Sequence, residues 1–281
     1  MWKRRSKVLF FSSAFISLFI LAQMGMYVTE TLSGISVYNL FQQCTSWMQK
    51  LGLPWMAYML DFLAVSTPVL AAWFIGKQLY LSGRTYKKLS SLKNVELTAD
   101  LNDAYLDGRN GILVVSHPDP IALTMGFIRP RIVLSTGLLQ LLDSGELEAL
   151  IQHEIYHMKH RDPLKTFIMS LCSSVLWYVP ILKWSQKQYT AAREVLADSY
   201  AIEAMGSAES LGSALLKLLR RKQTKRYPFT YASFAESSIN YRIQYLIDPQ
   251  AKPPFRLPVK RMMLSLQVVA ALSVMLIGEL L

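Results

Sequence analysis

Between Val8 and Val28 the chain carries no charged side chain, and no other feature limits its fold so strongly. A run of that length crosses a hydrocarbon core of about 30 Å as a helix. In lipid only a helix or a closed barrel pairs every backbone polar group, and a lone run has no strands to pair with. Lys3, Arg4, Arg5 and Lys7 precede it, so by the positive-inside preference the span enters from the cytoplasm. The competing reading is a cleaved secretory signal, but the run is too long for one and no clean small-x-small site follows. A second span reads from about Tyr58 to Gly76, with Pro68 in its middle and Asp61 near its outer end. Asp61 reads either as a functional intramembrane carboxylate or as an interfacial residue. Residues 29–54 form the external loop, and Lys77, Arg84, Lys87, Lys88 and Lys93 return the chain to the cytoplasm. A proline-rich linker over 249–258 leads through Lys260 and Arg261 to a third span, Met262–Leu281, which leaves the carboxyl terminus outside.

The composition agrees with this placement: 52% of residues are hydrophobic, only 17% are charged, and the mean hydropathy is +0.24. The net charge of +11 raises nucleic acid as a partner. No aromatic-interleaved motif accompanies it, and the basic residues cluster beside the spans, so anionic membrane lipid is the expected partner and nucleic acid is not. Cys44 and Cys172 are too few and too badly placed to argue a disulfide.

Residues 95–135 are less apolar and read as short strands at Val95–Leu97, Ala104–Leu106, Ile112–Ser116, Ile121–Thr124 and Arg131–Leu134. Asp107 to Gly111 is a turn. A helix then follows, because Leu147, Leu150, Ile151 and Ile155 recur at helical spacing, with Asp143 and Glu146 as a capping box and Pro163 as its end. On that helix His153 and His157 stand one turn apart on one face. Two imidazoles so placed can bind one tetrahedral zinc ion, and Glu154 beside them can take a proton from a zinc-bound water. The alternative is a surface helix with two solvated histidines. A second helical pattern supplies Glu194, and Asp198 one turn further on. Two histidines and a glutamate form the ligand set of a catalytic zinc, whereas structural zinc takes four ligands, usually with thiolates. Asp198 would then orient a ligand histidine through its other ring nitrogen. The alternative for Glu194 is a solvated charge paired with Arg193. His160 faces the same general side as His157 but lacks the spacing of a third histidine ligand.

His-Glu-Ile-Tyr-His followed by Arg161-Asp162, and then Arg193-Glu194 with Ala197-Asp198, resembles the integral-membrane gluzincin metallopeptidases, above all the BlaR/MecR-type family. The HtpX and CAAX prenyl protease family shares these motifs. Gly126 to Ser135 resembles the first family's strand before the zinc helix, and Tyr241-Arg242-Ile243-Gln244-Tyr245-Leu246 its segment after the third ligand. The likeness covers about 55–281. It implies a membrane α+β protein in which three transmembrane helices accompany a cytoplasmic-side gluzincin-like zinc metallopeptidase domain with a small sheet. The expected boundaries are 1–82 for the anchor, 83–258 for the peptidase domain and 259–281 for the last helix.

A full crossing by the apolar stretch 164–182 would put Glu194 across the membrane from His157, so that stretch is expected as a bilayer-dipping helical hairpin broken near Pro180. The resemblance further implies that Arg131, Ile132, Val133 and Leu134 hold a peptide by strand addition, against an ordinary sheet strand. Arg242 or Asn240 is a candidate oxyanion donor, against a structural role. By the same resemblance the activity is zinc-dependent endopeptidase cleavage of a cytosolic or membrane-associated protein, repressor-type, in a bacterial-type cell membrane. The alternatives are HtpX-like quality control and a non-catalytic membrane scaffold. The chain stops without the family's penicillin-binding sensor domain, so a separate sensor, or a homo-oligomer, is an expected partner.

Overall fold

A computed structural model describes residues 1–33, 46–47, 49–52, 54–220, 232–233, 239–248 and 258–273. The helices are α1 (Trp2–Ser33), α2 (Pro54–Ser90), α3 (Val95–Leu106), α4 (Thr136–Leu141), α5 (Ser144–Lys159), α6 (Asp162–Val175), α7 (Pro180–Met205), α8 (Glu209–Arg220), α9 (Ile239–Ile247) and α10 (Val259–Ser273). The strands are β1 (Ile112–Val115), β2 (Ala122–Met125), β3 (Arg131–Ser135) and the short β4 (Ala232–Ser233). The chain divides into two units. One comprises Met1–Lys7, Gln78–Phe167 and Lys187–Pro254; the other comprises Val8–Lys77, Ile168–Gln186 and Phe255–Leu281.

Two helices are long and apolar enough to cross a membrane, over Trp2–Thr29 and Asp61–Ser90, where the first two spans are expected. Leu9, Ser13, Ser17, Ile20 and Met24 form the buried seam of α1, a helical spacing with small polar side chains of the kind that lets helices approach in lipid. Ile20 and Met24 pack with Ala64, Leu176, Val179 and Leu182. Tyr27 donates to Asp61 Oδ1 at 2.5 Å, so this carboxylate is hydrogen-bonded within the second unit. The stretch 164–182 is a helical hairpin: α6 stops at Val175 and α7 starts on Pro180, whose fixed φ and missing N–H suit a first helical position. Of the third expected span, α10 covers Val259–Ser273, and 274–281 lie outside the described residues, as do most of the external loop and the linker 249–257.

In the first unit the sheet runs β1-β3-β2-β4, with β1 parallel and β2 antiparallel to β3. Alternate residues go to opposite faces, and both faces are buried. Ile112, Val114, Ala122, Ile132 and Leu134 pack with α5 and α8 residues such as Leu150, Ile151, Ala214 and Leu215. Leu113, Val115, Leu123, Met125 and Val133 pack with Leu89 of α2.

Two expectations are corrected here. The triplets Val95–Leu97 and Ala104–Leu106 are not strands but the two ends of α3. Asn94 caps that helix by accepting from Leu97 N, and its buried face is Thr98, Asn102 and Leu106. Two of those three are polar, which hides the helical period. Both are hydrogen-bonded to the sheet edge: Asn102 Oδ1 accepts from Gly111 N and Ile112 N, and Thr98 Oγ1 from Val114 N. The second correction concerns Arg131, Ile132, Val133 and Leu134. β3 lies between β1 and β2, so its ladder positions are filled on both sides and it cannot take a peptide by strand addition. The strand nearer α5 is β2, whose outer side pairs with β4 at Leu123 and Thr124.

The helix bearing the two histidines is fixed at its start. Asp143 Oδ1 accepts from Glu146 N and Glu146 Oε2 from Asp143 N, a complete capping box. Glu146 is buried and also accepts from Ser213 Oγ at 2.5 Å and Lys217 Nζ at 2.6 Å, which ties α5 to α8. The helix ends before Pro163: His160 is its C-cap and Arg161 turns the chain with φ 52°, leaving Pro163 inside the first turn of α6.

Burial alone would raise the Glu146 carboxyl, but the hydrogen bonds from Lys217, Ser213 and the Asp143 N–H outweigh it and hold it below 4.5. The stability it contributes is therefore present above pH 4.5 and is lost as pH falls through the lower folded-state value. Glu146→Gln is expected to destabilise the protein by roughly 1–3 kcal/mol at neutral pH. In thermal unfolding of the full chain, the gap between wild type and variant should close as the pH is lowered below 4.5.

Candidate active site

α5 and α7 bring His153, His157 and Glu194 together. One ligand atom from each lies within 4.8 Å of the others, and all three side chains are buried. His153 Nε2 and His157 Nε2 are 3.1 Å apart, and each is 3.6 Å from a Glu194 oxygen. The i, i+4 spacing on one helix sets the first pair. The second helix presents Glu194 from the side.

Each imidazole is held from behind by a carboxylate. Asp198 Oδ1 lies 2.9 Å from His153 Nδ1, and Asp162 Oδ2 lies 2.8 Å from His157 Nδ1. A proton on Nδ1 facing a carboxylate leaves Nε2 as a bare lone pair, so both lone pairs point into the same small buried space. Such an arrangement needs a positive centre between them. Burial alone would lower His157, but the Asp162 hydrogen bond and the charges of Glu194, Asp162 and Glu154 lift it to about 8.

The carboxylates in turn are held by two buried guanidiniums. Arg242 of α9 donates Nε to Asp198 Oδ2 at 2.8 Å and Nη2 to Oδ1 at 2.6 Å, and its Nη1 lies 3.4 Å from Glu194 Oε2. Burial would raise Asp198, yet Arg242 and His153 bring it down to about 2. The same forces, from His153, His157 and Arg242, hold Glu194 below the ordinary carboxylate range against its burial. Arg193 Nη2 sits 2.6 Å from Asp162 Oδ1. Counting Glu154, Asp162, Glu194 and Asp198 as ionised and the imidazoles as neutral, the two guanidiniums paired with them among the described residues, Arg193 and Arg242, leave two negative charges. A divalent cation matches that remainder, so the residues present fit a metal ion.

Glu154 lies beside the cluster, fully buried. Thr124 of β2 donates to its Oε2 at 2.6 Å, while Oε1 has no hydrogen-bond partner among the described residues. Burial pushes this carboxyl up, against the pull of His157, His153 and the Thr124 hydrogen bond.

Of the residues singled out in the sequence, His153, Glu154, His157, Glu194 and Asp198 come together. Arg242 comes too, with its guanidinium on Asp198 and beside Glu194, contacts that fit the structural role. The side chain of Asn240 lies outside the described residues. His160 does not join the cluster; it hydrogen-bonds Tyr156 O and stacks on the Tyr156 ring at 4.0 Å. The sequence reading missed Thr124 altogether, and it marked Asp162 only as part of Arg161-Asp162, a structural ion pair or a helix-end contact; the ion pair is with Arg193. The only signal for Asp162 was its place in Arg161-Asp162, and none pointed to Thr124.

A family described as BlaR1 peptidase M56 matches this chain over residues 23–246. The Regulatory protein BlaR1 of Bacillus licheniformis is 23% identical over 206 residues, which is 68% of this chain and 34% of that protein. The Methicillin resistance mecR1 protein of Staphylococcus aureus is 21% identical over 206 residues, 66% of this chain and 34% of that protein. A Protease HtpX homolog of Methanothermobacter thermautotrophicus is 27% identical over 134 residues, 40% of this chain and 52% of that protein. The chain spans about a third of the length of the first two relatives. The family match takes in α5, α7 and α9, and so every side chain of the buried cluster. On this evidence the chain is a member of the BlaR1 peptidase M56 family.

Proposed function

We propose that this chain is a membrane zinc endopeptidase that cuts a cytosolic or membrane-associated protein at few sites, with its amino terminus and active site on the cytoplasmic side and its carboxyl terminus outside. One observation carries the reading: two imidazoles and a carboxylate converge in a buried space, with Glu154 alongside. Zinc is the metal the donor set favours, since two histidines, one glutamate and an open position make a catalytic zinc site.

His153, His157 and Glu194 would hold the ion, and once bound it supplies a Lewis acid for the scissile carbonyl and makes water acidic near neutral pH. Asp198 and Asp162 keep both imidazoles in the tautomer that presents Nε2. Glu154 takes the proton of the attacking water and returns it to the leaving amine. Its burial favours the protonated form between those two events, and Thr124 fixes one oxygen so that the other faces the reaction.

Regulatory cleavage is preferred over broad degradation because relatives named as regulatory and resistance proteins match about two thirds of this chain, and the HtpX homolog 40%. The partners in this reading are a protein substrate, anionic lipid and a separate sensor or second copy.

Comparing wild type with Glu154→Gln in host-cell membranes tests the activity. The variant should retain metal while one or a few new protein amino termini vanish; many vanishing termini would favour quality control. Identical profiles, or wild type without metal, would leave the scaffold reading. Thr124→Val is expected to keep full metal content and KM while lowering kcat roughly ten- to hundred-fold, measured on the substrate those termini identify.

A further inference from the structure

Arg193 directly precedes Glu194 on α7, yet it points elsewhere. Successive residues on a helix project about 100° apart, so the pair reads two adjoining surfaces: Glu194 faces the histidines and Arg193 faces the turn between α5 and α6. There its Nη2 lies 2.6 Å from Asp162 Oδ1, while the other oxygen of Asp162 lies 2.8 Å from His157 Nδ1. The Arg193 guanidinium also stacks on the Tyr156 ring at 4.8 Å, and His160 covers that ring at 4.0 Å. Arg161, in the left-handed region at φ 52°, turns the chain so that Asp162 comes back beneath His157.

The ion pair and the ring beneath it are buried: Asp162 is 1% exposed, and Arg193 and Tyr156 are each 7% exposed. Between Asp162 and Arg193 the chain makes its whole α6–α7 excursion, so this ion pair closes the base of that helical hairpin. Without that guanidinium the Asp162 Oδ1 atom would be left buried with no cation beside it, and nothing would hold the carboxylate from turning away from His157. Such a turn removes the acceptor that fixes the imidazole. Losing the stack on Tyr156 would also free α7 to rotate or slide against α5, carrying Glu194 with it. Arg242 acts differently: it reaches Asp198 from α9, a helix that bears none of the three ligands.

We propose that Arg193 is a positioning residue of the metal centre, which through Asp162 and Tyr156 both orients His157 and sets where α7 places Glu194. The inference rests on the metal site proposed above.

The test uses the full-length protein in detergent, as wild type, Arg193→Gln, Arg193→Lys and Glu194→Gln. Zinc affinity is read by competition with a chelator, ligand geometry by the visible absorption of the cobalt(II)-substituted protein, and folding by the thermal midpoint of the metal-free form. Arg193→Gln should bind zinc 10- to 100-fold more weakly, with a weakened cobalt band, in a metal-free form that has a lowered midpoint but still unfolds cooperatively. Arg193→Lys, which restores the charge to Asp162, should recover most of the affinity. Wild-type affinity and an unchanged band in Arg193→Gln would overturn the proposal alone. An affinity loss that tracks a collapsed metal-free midpoint, with no recovery in Arg193→Lys, marks simple packing and also overturns it. Wild type that binds no more zinc than Glu194→Gln would instead sink the metal site itself, and the positioning role with it.

Discussion

Everything near the centre of this protein answers to one electrostatic constraint, a set of ionisable side chains taken out of water together. Four carboxylates and two imidazoles share an interior with two guanidiniums among the described residues. Charges are tolerated at such depth only when each is paired, and the pairings here are specific: Asp198 with Arg242, Asp162 with Arg193, each aspartate also with one imidazole. What the pairing does not neutralise is concentrated at Glu194 and Glu154, on either side of two inward-facing ring nitrogens. That arrangement fits a divalent cation.

The surrounding architecture serves to hold these groups still. The sheet is covered on both faces, so β2 is a rigid support from which Thr124 reaches Glu154. The capping box at Asp143 and Glu146 fixes the start of α5, and the left-handed Arg161 fixes its exit. At the far end of α7, Gly206 takes φ 72°, a conformation that costs glycine little and ends the helix cleanly after Met205. Each ligand therefore stands on a helix whose ends are determined locally, while the spacing between helices is set by buried ion pairs.

What the sequence disclosed follows from how local each signal is. His153 and His157 are four residues apart on one helix, and Glu194 and Asp198 repeat that interval on another, so both pairs are legible without knowing the fold. The grip of Arg242 on Asp198 and of Thr124 on Glu154 joins residues far apart in the chain, and no spacing rule reaches them. Asp162 was visible, but its partner depended on the φ of the residue before it. α3 was misread because its buried face is Thr98 and Asn102, polar groups that satisfy the sheet edge and erase the apolar rhythm. The edge role expected of β3 failed for a topological reason: β1 pairs with it by skipping over β2 in sequence, which no property of residues 131–135 foretells. The first two apolar spans were legible from length alone.

The most direct test of this account is X-ray absorption at the zinc edge of the purified full-length protein. The account predicts one zinc ion with a first shell of nitrogen and oxygen alone at about 2.0–2.1 Å, and the outer-shell scattering of two imidazole rings. A shell containing sulfur at about 2.3 Å, a single imidazole, or no bound zinc would contradict it.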